Sequence, residues 1–78
     1  MNMRRFIPTF RKLGWTYSAD ALGEYFQRGQ RRISVMHTGP LFTCFVNDVV
    51  AGTFRTVGSC SNLTSPDQVA RWMMTYAV

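Results

Sequence analysis

Carboxylates are scarce in this chain. Asp20, Glu24, Asp48 and Asp67 are the only four in 78 residues, against nine lysines and arginines. No two of them fall at a spacing that suggests a general acid and a general base. Histidine is scarcer still. His37 stands alone, and its alternation with Ile33 and Val35 near a strand end reads as a half-buried, turn-proximal residue rather than the general base a nucleophile needs. Cys44 and Cys60 are the only cysteines. Two cysteines make no disulfide framework, and their spacing fits no zinc pattern. They read as two reduced thiols of a cytosolic protein. There is no glycine-rich phosphate loop. No apolar run is long enough for a signal peptide or a bilayer span. These absences argue against an enzyme, against a metal or cofactor, and against a membrane partner. They leave the cytoplasm as the expected compartment.

What the chain does have is apolar and aromatic content, 46% and 14% of its residues, which argues for a folded core and against disorder. The length suits one domain over 1–78, near the lower limit for a core that holds itself together. The formal net charge is +5, and eight of the nine cations are arginine. Arginine presents a planar fork of donors suited to carboxylate or phosphate. A GC-rich coding sequence would favour arginine over lysine equally well. It does not explain the sign imbalance, which points to an acidic partner.

The clearest local signal lies near the C-terminus. In Ser65-Pro66-Asp67-Gln68, Ser65 can cap free N–H groups, and Pro66 suits the first helical position. Asp67 complements the helix dipole, and Gln68 can close a capping box. Val69, Trp72, Met73 and Tyr76 then recur at i, i+3, i+4, i+7, an amphipathic stripe. A first helix is expected over 19–28, with Ser18 as cap, Gly29 as stop and Leu22, Tyr25 and Phe26 as its apolar stripe. Gly23 weakens that helix. Between the helices, 31–38, 41–46 and 53–57 alternate as strands, separated by Gly39-Pro40 and by turn residues ending at Gly52. Residues 1–17 read as an N-terminal arm or an edge strand, interrupted by Pro8 and Gly14.

The expected fold is α+β. A small three- to four-stranded antiparallel sheet carries two helices packed on one face, in the order (β)αβββα, with 18–78 as the αβββα core. Ile33, Val35, Phe42, Cys44, Val46 and Phe54 then face Leu22, Phe26, Val69, Trp72, Met73 and Tyr76. The opposite face carries Arg32, Met36, Thr43, Phe45 and Arg55, with Arg28 and Arg31 at its edge. Phe45 has two readings there: a residue under the N-terminal arm, or an aromatic anchor flanked by arginines. On the second reading Arg28, Arg31, Arg32, Phe45 and Arg55 form the partner-binding surface, gripping phosphate or carboxylate around an aromatic contact.

Two family resemblances accompany these residues. Lys12-Leu13-Gly14-Trp15 is similar to a segment of small RNA-cleaving toxins of the HicA type, but the Gly-Ser-His element of those toxins is missing here. The run Ile33-x-Val35-x-x-x-Gly39, then Val46-Asn47-Asp48-Val49-Val50-Ala51-Gly52, then Ser65-Pro66-Asp67-Gln68-Val69-x-x-Trp72-Met73 resembles small phage anti-CRISPR proteins that bind the Cas7 backbone of type I-F surveillance complexes. It covers about half the chain, at core and turn positions. Where that family places a tyrosine and a glutamate, this chain has Met36 and Asn47. The resemblance implies an inhibitor that acts in the cytoplasm of an infected bacterial host. It would bind a type I CRISPR surveillance complex and block target DNA binding. A basic chain cannot mimic DNA, so it would dock an acidic face of a protein subunit or touch guide RNA. The alternative is a stand-alone basic nucleic-acid-binding protein.

Overall fold

Four turns shape the sheet, and three of them are only two residues long: Gly29-Gln30, Gly39-Pro40 and Ala51-Gly52. Two-residue loops force the flanking segments to pair as antiparallel neighbours. The computed structural model describes residues 3–78, so residues 1 and 2 of the expected arm lie outside the described residues. The strands are β1 (Thr16–Ala19), β2 (Glu24–Arg28), β3 (Arg31–Thr38), β4 (Leu41–Val50) and β5 (Thr53–Leu63). They form one five-stranded antiparallel meander in sequence order. A 3-10 turn at Arg4–Phe6 leads into helix α1 (Ile7–Lys12), and helix α2 (Pro66–Ala77) closes the chain. Both helices cover the same face of the sheet. The α+β class and the two-helix layer are as expected, but the strand count is five.

The expected helix over 19–28 does not form. Its place is taken by the β1–β2 hairpin. Asp20, which would fall in the first turn of that helix, makes an Asx-type turn instead, with Oδ1 accepting from Leu22 N at 2.8 Å and Gly23 N at 3.1 Å. A Cβ on Gly23 would lie 2.5 Å from the carbonyl oxygen of Val35, so only glycine lets the turn close onto β3. The helix of the N-terminal region is α1, inside the segment expected to be an arm or strand. Pro8 sits in its first turn, where a missing N–H costs nothing.

The core contains Phe10, Trp15, Phe26, Ile33, Val35, Phe42, Cys44, Val46, Val69 and Met73, all essentially without solvent contact. Ser65 caps α2, its Oγ accepting from Gln68 N at 3.3 Å. The Gln68 side chain reaches one residue further back than a capping box requires and accepts from Thr64 N at 2.8 Å. The buried stripe of α2 is Val69, Ala70, Met73 and Ala77. Trp72 and Tyr76 lie half-buried at its flank with their rings 5.0 Å apart.

The two helices run parallel. Arg5 pairs with Asp67 at their N-terminal ends. At the other end, one Arg28 nitrogen donates to Leu13 O at 2.8 Å and Ala77 O at 3.0 Å. Trp15 Nε1 also donates to Ala77 O, at 3.0 Å, and Arg31 reaches Tyr76 O at 3.4 Å. These groups satisfy carbonyls that a helix C-terminus leaves open. Positive charge there also opposes the negative end of the dipole.

Candidate interaction surface

Among the described residues, none forms a covering layer on the face of the sheet away from the helices. Strand register arranges its side chains in rows. One row runs Ser18, Tyr25, Ser34, Phe45, Ser59 across all five strands. The next runs Thr16, Gln27, Arg32, Asn47, Thr56. Beyond them lie the pairs Met36–Thr43 and Val49–Phe54. The surface is built of hydroxyls, amides and aromatics around a single arginine, with no carboxylate from any strand.

Its centre is a stack. The Arg32 guanidinium lies 4.1 Å from the centroid of the Tyr25 ring. Tyr25 OH donates to Asp20 Oδ1 at 2.9 Å. That bond holds the Tyr25 phenol above its usual pKa. The Asp20 carboxyl is held below the usual range, first by the Leu22 N–H and then by Tyr25. Arg32 makes no hydrogen bond or ion pair among the described residues, and its Nε is buried without an acceptor. A buried donor left in that state carries a desolvation cost. Beside the stack, Phe45 is half-buried between Ser34 and Ser59, and Thr56 Oγ1 donates to Asn47 Oδ1 at 2.7 Å. The described part of the N-terminal arm does not cover Phe45, because α1 packs on the other face.

The five residues expected to form one surface are divided between two faces. Arg32 and Phe45 share the open face. Arg28 and Arg31 lie on the helix side, holding the C-terminal ends of the helices. Arg31 also makes a bidentate pair with Asp48, at 2.8 and 2.9 Å. That pair holds the Asp48 carboxyl below its ordinary range. Arg55 was expected on the open face, but it stands opposite Asp48 and therefore on the helix side. The reason is a β-bulge. Val46 pairs with Gly58 and Asn47 with Thr56, so Val57 is an extra residue in β5. One extra residue inverts the faces of everything before it. The same inversion carries Phe54 out of the expected core to 66% exposure. Leu22, also expected in the core, is 74% exposed in the β1–β2 turn.

No family model, curated protein or solved structure matches this chain. The geometry therefore has to carry the functional reading. All four carboxylates have internal partners. Asp20 is in its turn, Asp48 is on Arg31, Asp67 is on Arg5, and Glu24 accepts from Met3 N at 2.8 Å and Tyr17 OH at 2.7 Å. Among the described residues no cluster of three metal-ligating side chains occurs, and no helix is long and apolar enough to cross a membrane. His37, at the end of β3, packs its ring on Phe42 at 4.1 Å, and its Nδ1 lies 3.0 Å from Gly39 O.

Sequence reasoning missed Tyr25, Gln27, Asn47, Thr56, Val49 and Phe54 as members of the surface. Gly29-Gln30 ahead of the alternating segment 31–38 was a sign of a two-residue hairpin turn, which pairs 24–28 with β3 and puts Tyr25 on the same face as Arg32.

Proposed function

We propose that this chain is a binding protein that occupies a protein subunit of a larger assembly through the uncovered face of its sheet. The class is that of the small phage inhibitors of type I CRISPR surveillance complexes, and occupancy of the subunit blocks binding of target DNA. The observation that supports a protein partner is the make-up of the face. Tyrosine, phenylalanine, serine, asparagine and one stacked arginine are the side chains that protein-binding surfaces use for rigid apolar contact with adaptable hydrogen bonding. The sequence suggested a basic face, but among the described residues Arg32 is its sole cation. A complementary partner offers an apolar recess to Phe45 and Phe54 and acceptors around Arg32. The resemblance to the inhibitor family lies at Ile33, Val35, Gly39, Val46, Gly52, Ser65 and Val69. These are core, turn and cap positions here, so the likeness supports the reading through the scaffold rather than through contact residues.

The test is the triple variant Arg32→Gln/Phe45→Ala/Phe54→Ser. Its capture of a purified type I surveillance complex should weaken at least thirtyfold, the mark of a lost hot spot of about 2 kcal/mol. Plaque protection should fail with it, while circular dichroism stays native. Wild-type inhibition by the folded triple variant would refute the surface. No protection by the wild-type chain against any type I system would refute the class.

A further inference from the structure

The net positive charge is concentrated on the helices. Segments 4–12 and 66–77 hold Arg4, Arg5, Arg11, Lys12 and Arg71 against the single carboxylate Asp67. Four of the five net charges therefore belong to the helix layer. The sheet and its turns hold Arg28, Arg31, Arg32 and Arg55 against Asp20, Glu24 and Asp48, and are close to neutral. All five helix-layer cations are exposed. Asp67 is already taken by Arg5. Arg11, Lys12 and Arg71 form no ion pair among the described residues. Between the helices runs a shallow groove of about 330 Å³, floored by Phe10, Ala70 and Met74 and edged by Thr9 and Arg71.

From this distribution we infer that the helix layer is a second binding surface, and that its partner is the phosphodiester backbone of a nucleic acid. A dense single-sign field on one side of a small protein draws a polyanion. Helix α2 has 12 residues, a length of about 18 Å, which spans about five phosphates of one duplex strand. The exposed hydroxyls of Thr9 and Thr75 add neutral donors or acceptors along the ridge. Phosphate contacts of this kind position a strand without reading its sequence. The surface goes beyond the sheet-face reading and stands independently of it. If both hold, the chain sits where a protein subunit borders a nucleic-acid strand, with one face on each.

Binding to a single-stranded RNA and to a duplex DNA of about 20 units is measured across salt from about 50 to 200 mM. For about four phosphate contacts the single-strand slope of log K against log salt is about −3, a weakening of about sixtyfold over that range. Arg11→Gln/Lys12→Gln/Arg71→Gln should reduce the slope by about 2 and leave the melting temperature in place, since these side chains hold nothing internally. A folded triple-glutamine variant with wild-type affinity and slope overturns the inference, as does absence of saturable binding by the wild type at the lowest salt. An acidic peptide of matched charge that competes as well as RNA also overturns it, by assigning the ridge to protein. Failure of the sheet-face reading looks different: inhibition survives the Arg32/Phe45/Phe54 changes while nucleic-acid binding is unaltered.

Discussion

Arg28 tests the claim that part of the basic charge is structural. One guanidinium nitrogen joins the last carbonyls of two parallel helices, Leu13 O and Ala77 O, and the group lies 4.8 Å from the Trp15 ring. Each hydrogen bond contributes about 1 kcal/mol net, and a cation over an indole at a solvent-reached site adds about 0.5–1. Trp15 Nε1 still donates to Ala77 O when Arg28 is removed, and water reaches Leu13 O, so neither carbonyl is left fully unsatisfied. Arg28→Ala should therefore cost about 2 kcal/mol. For a domain of this size that lowers the melting temperature by about 8–15 °C. Arg28→Lys keeps the charge near both helix ends but loses the planar fork, and should recover about half. Thermal unfolding followed by circular dichroism reads all three proteins. A melting temperature for Arg28→Ala within 2 °C of wild type would show that the helix ends do not depend on this side chain. If Arg28→Lys is folded and binds partners normally, Arg28 is a structural residue. Loss of binding without loss of stability would return it to the interface.

The remaining predictions concern single positions. Ala51 sits at φ +53 ahead of Gly52 at φ +78, the two left-handed residues of a type I′ hairpin turn, so Ala51→Asn should raise stability by about 1 kcal/mol in denaturant unfolding. Burial pushes the Cys44 thiol up to about 12, while its cross-strand neighbour Cys60 is half-buried. Under native conditions near neutral pH an alkylating reagent should label Cys60 and spare Cys44, whereas unfolding should release both, and equal native labelling would contradict the buried placement. Asp48 titrates below its ordinary range because of Arg31. A carboxyl lowered in the folded state stabilises above its unfolded pKa and loses that contribution as pH falls through the folded one. The melting temperature of Asp48→Asn should therefore fall less than that of wild type between neutral pH and pH about 3.

The sequence by itself determined what depends on neighbours along the chain. Ser65 and Pro66 start α2 because a cap and a missing N–H act within one turn. Alternation in 31–38 and 41–46 put Ile33, Val35, Phe42, Cys44 and Val46 on the core face, because a strand's period of two is set by the backbone. The segment 19–28 carried conflicting local signals, a helical stripe against the two-residue turn Gly29-Gln30 that follows it. Leu22, Tyr25 and Phe26 fit a helical stripe, and Asp20 serves a helix start or an Asx turn equally well. The outcome depends on the Val35 carbonyl, which approaches Gly23 from another strand. The binding surface was less legible still. Val57 looks like any strand residue, yet its bulge sends Arg55 to one face and Phe54 to the other. Nothing local marks that extra residue. Pairing with β4 creates it, and on the far side of it β5 places Gly58 against the Tyr76 ring. Charge followed the same division: its total was written in the composition, but its separation into a basic helix layer and a near-neutral sheet was decided by which side of the sheet the two helices pack on.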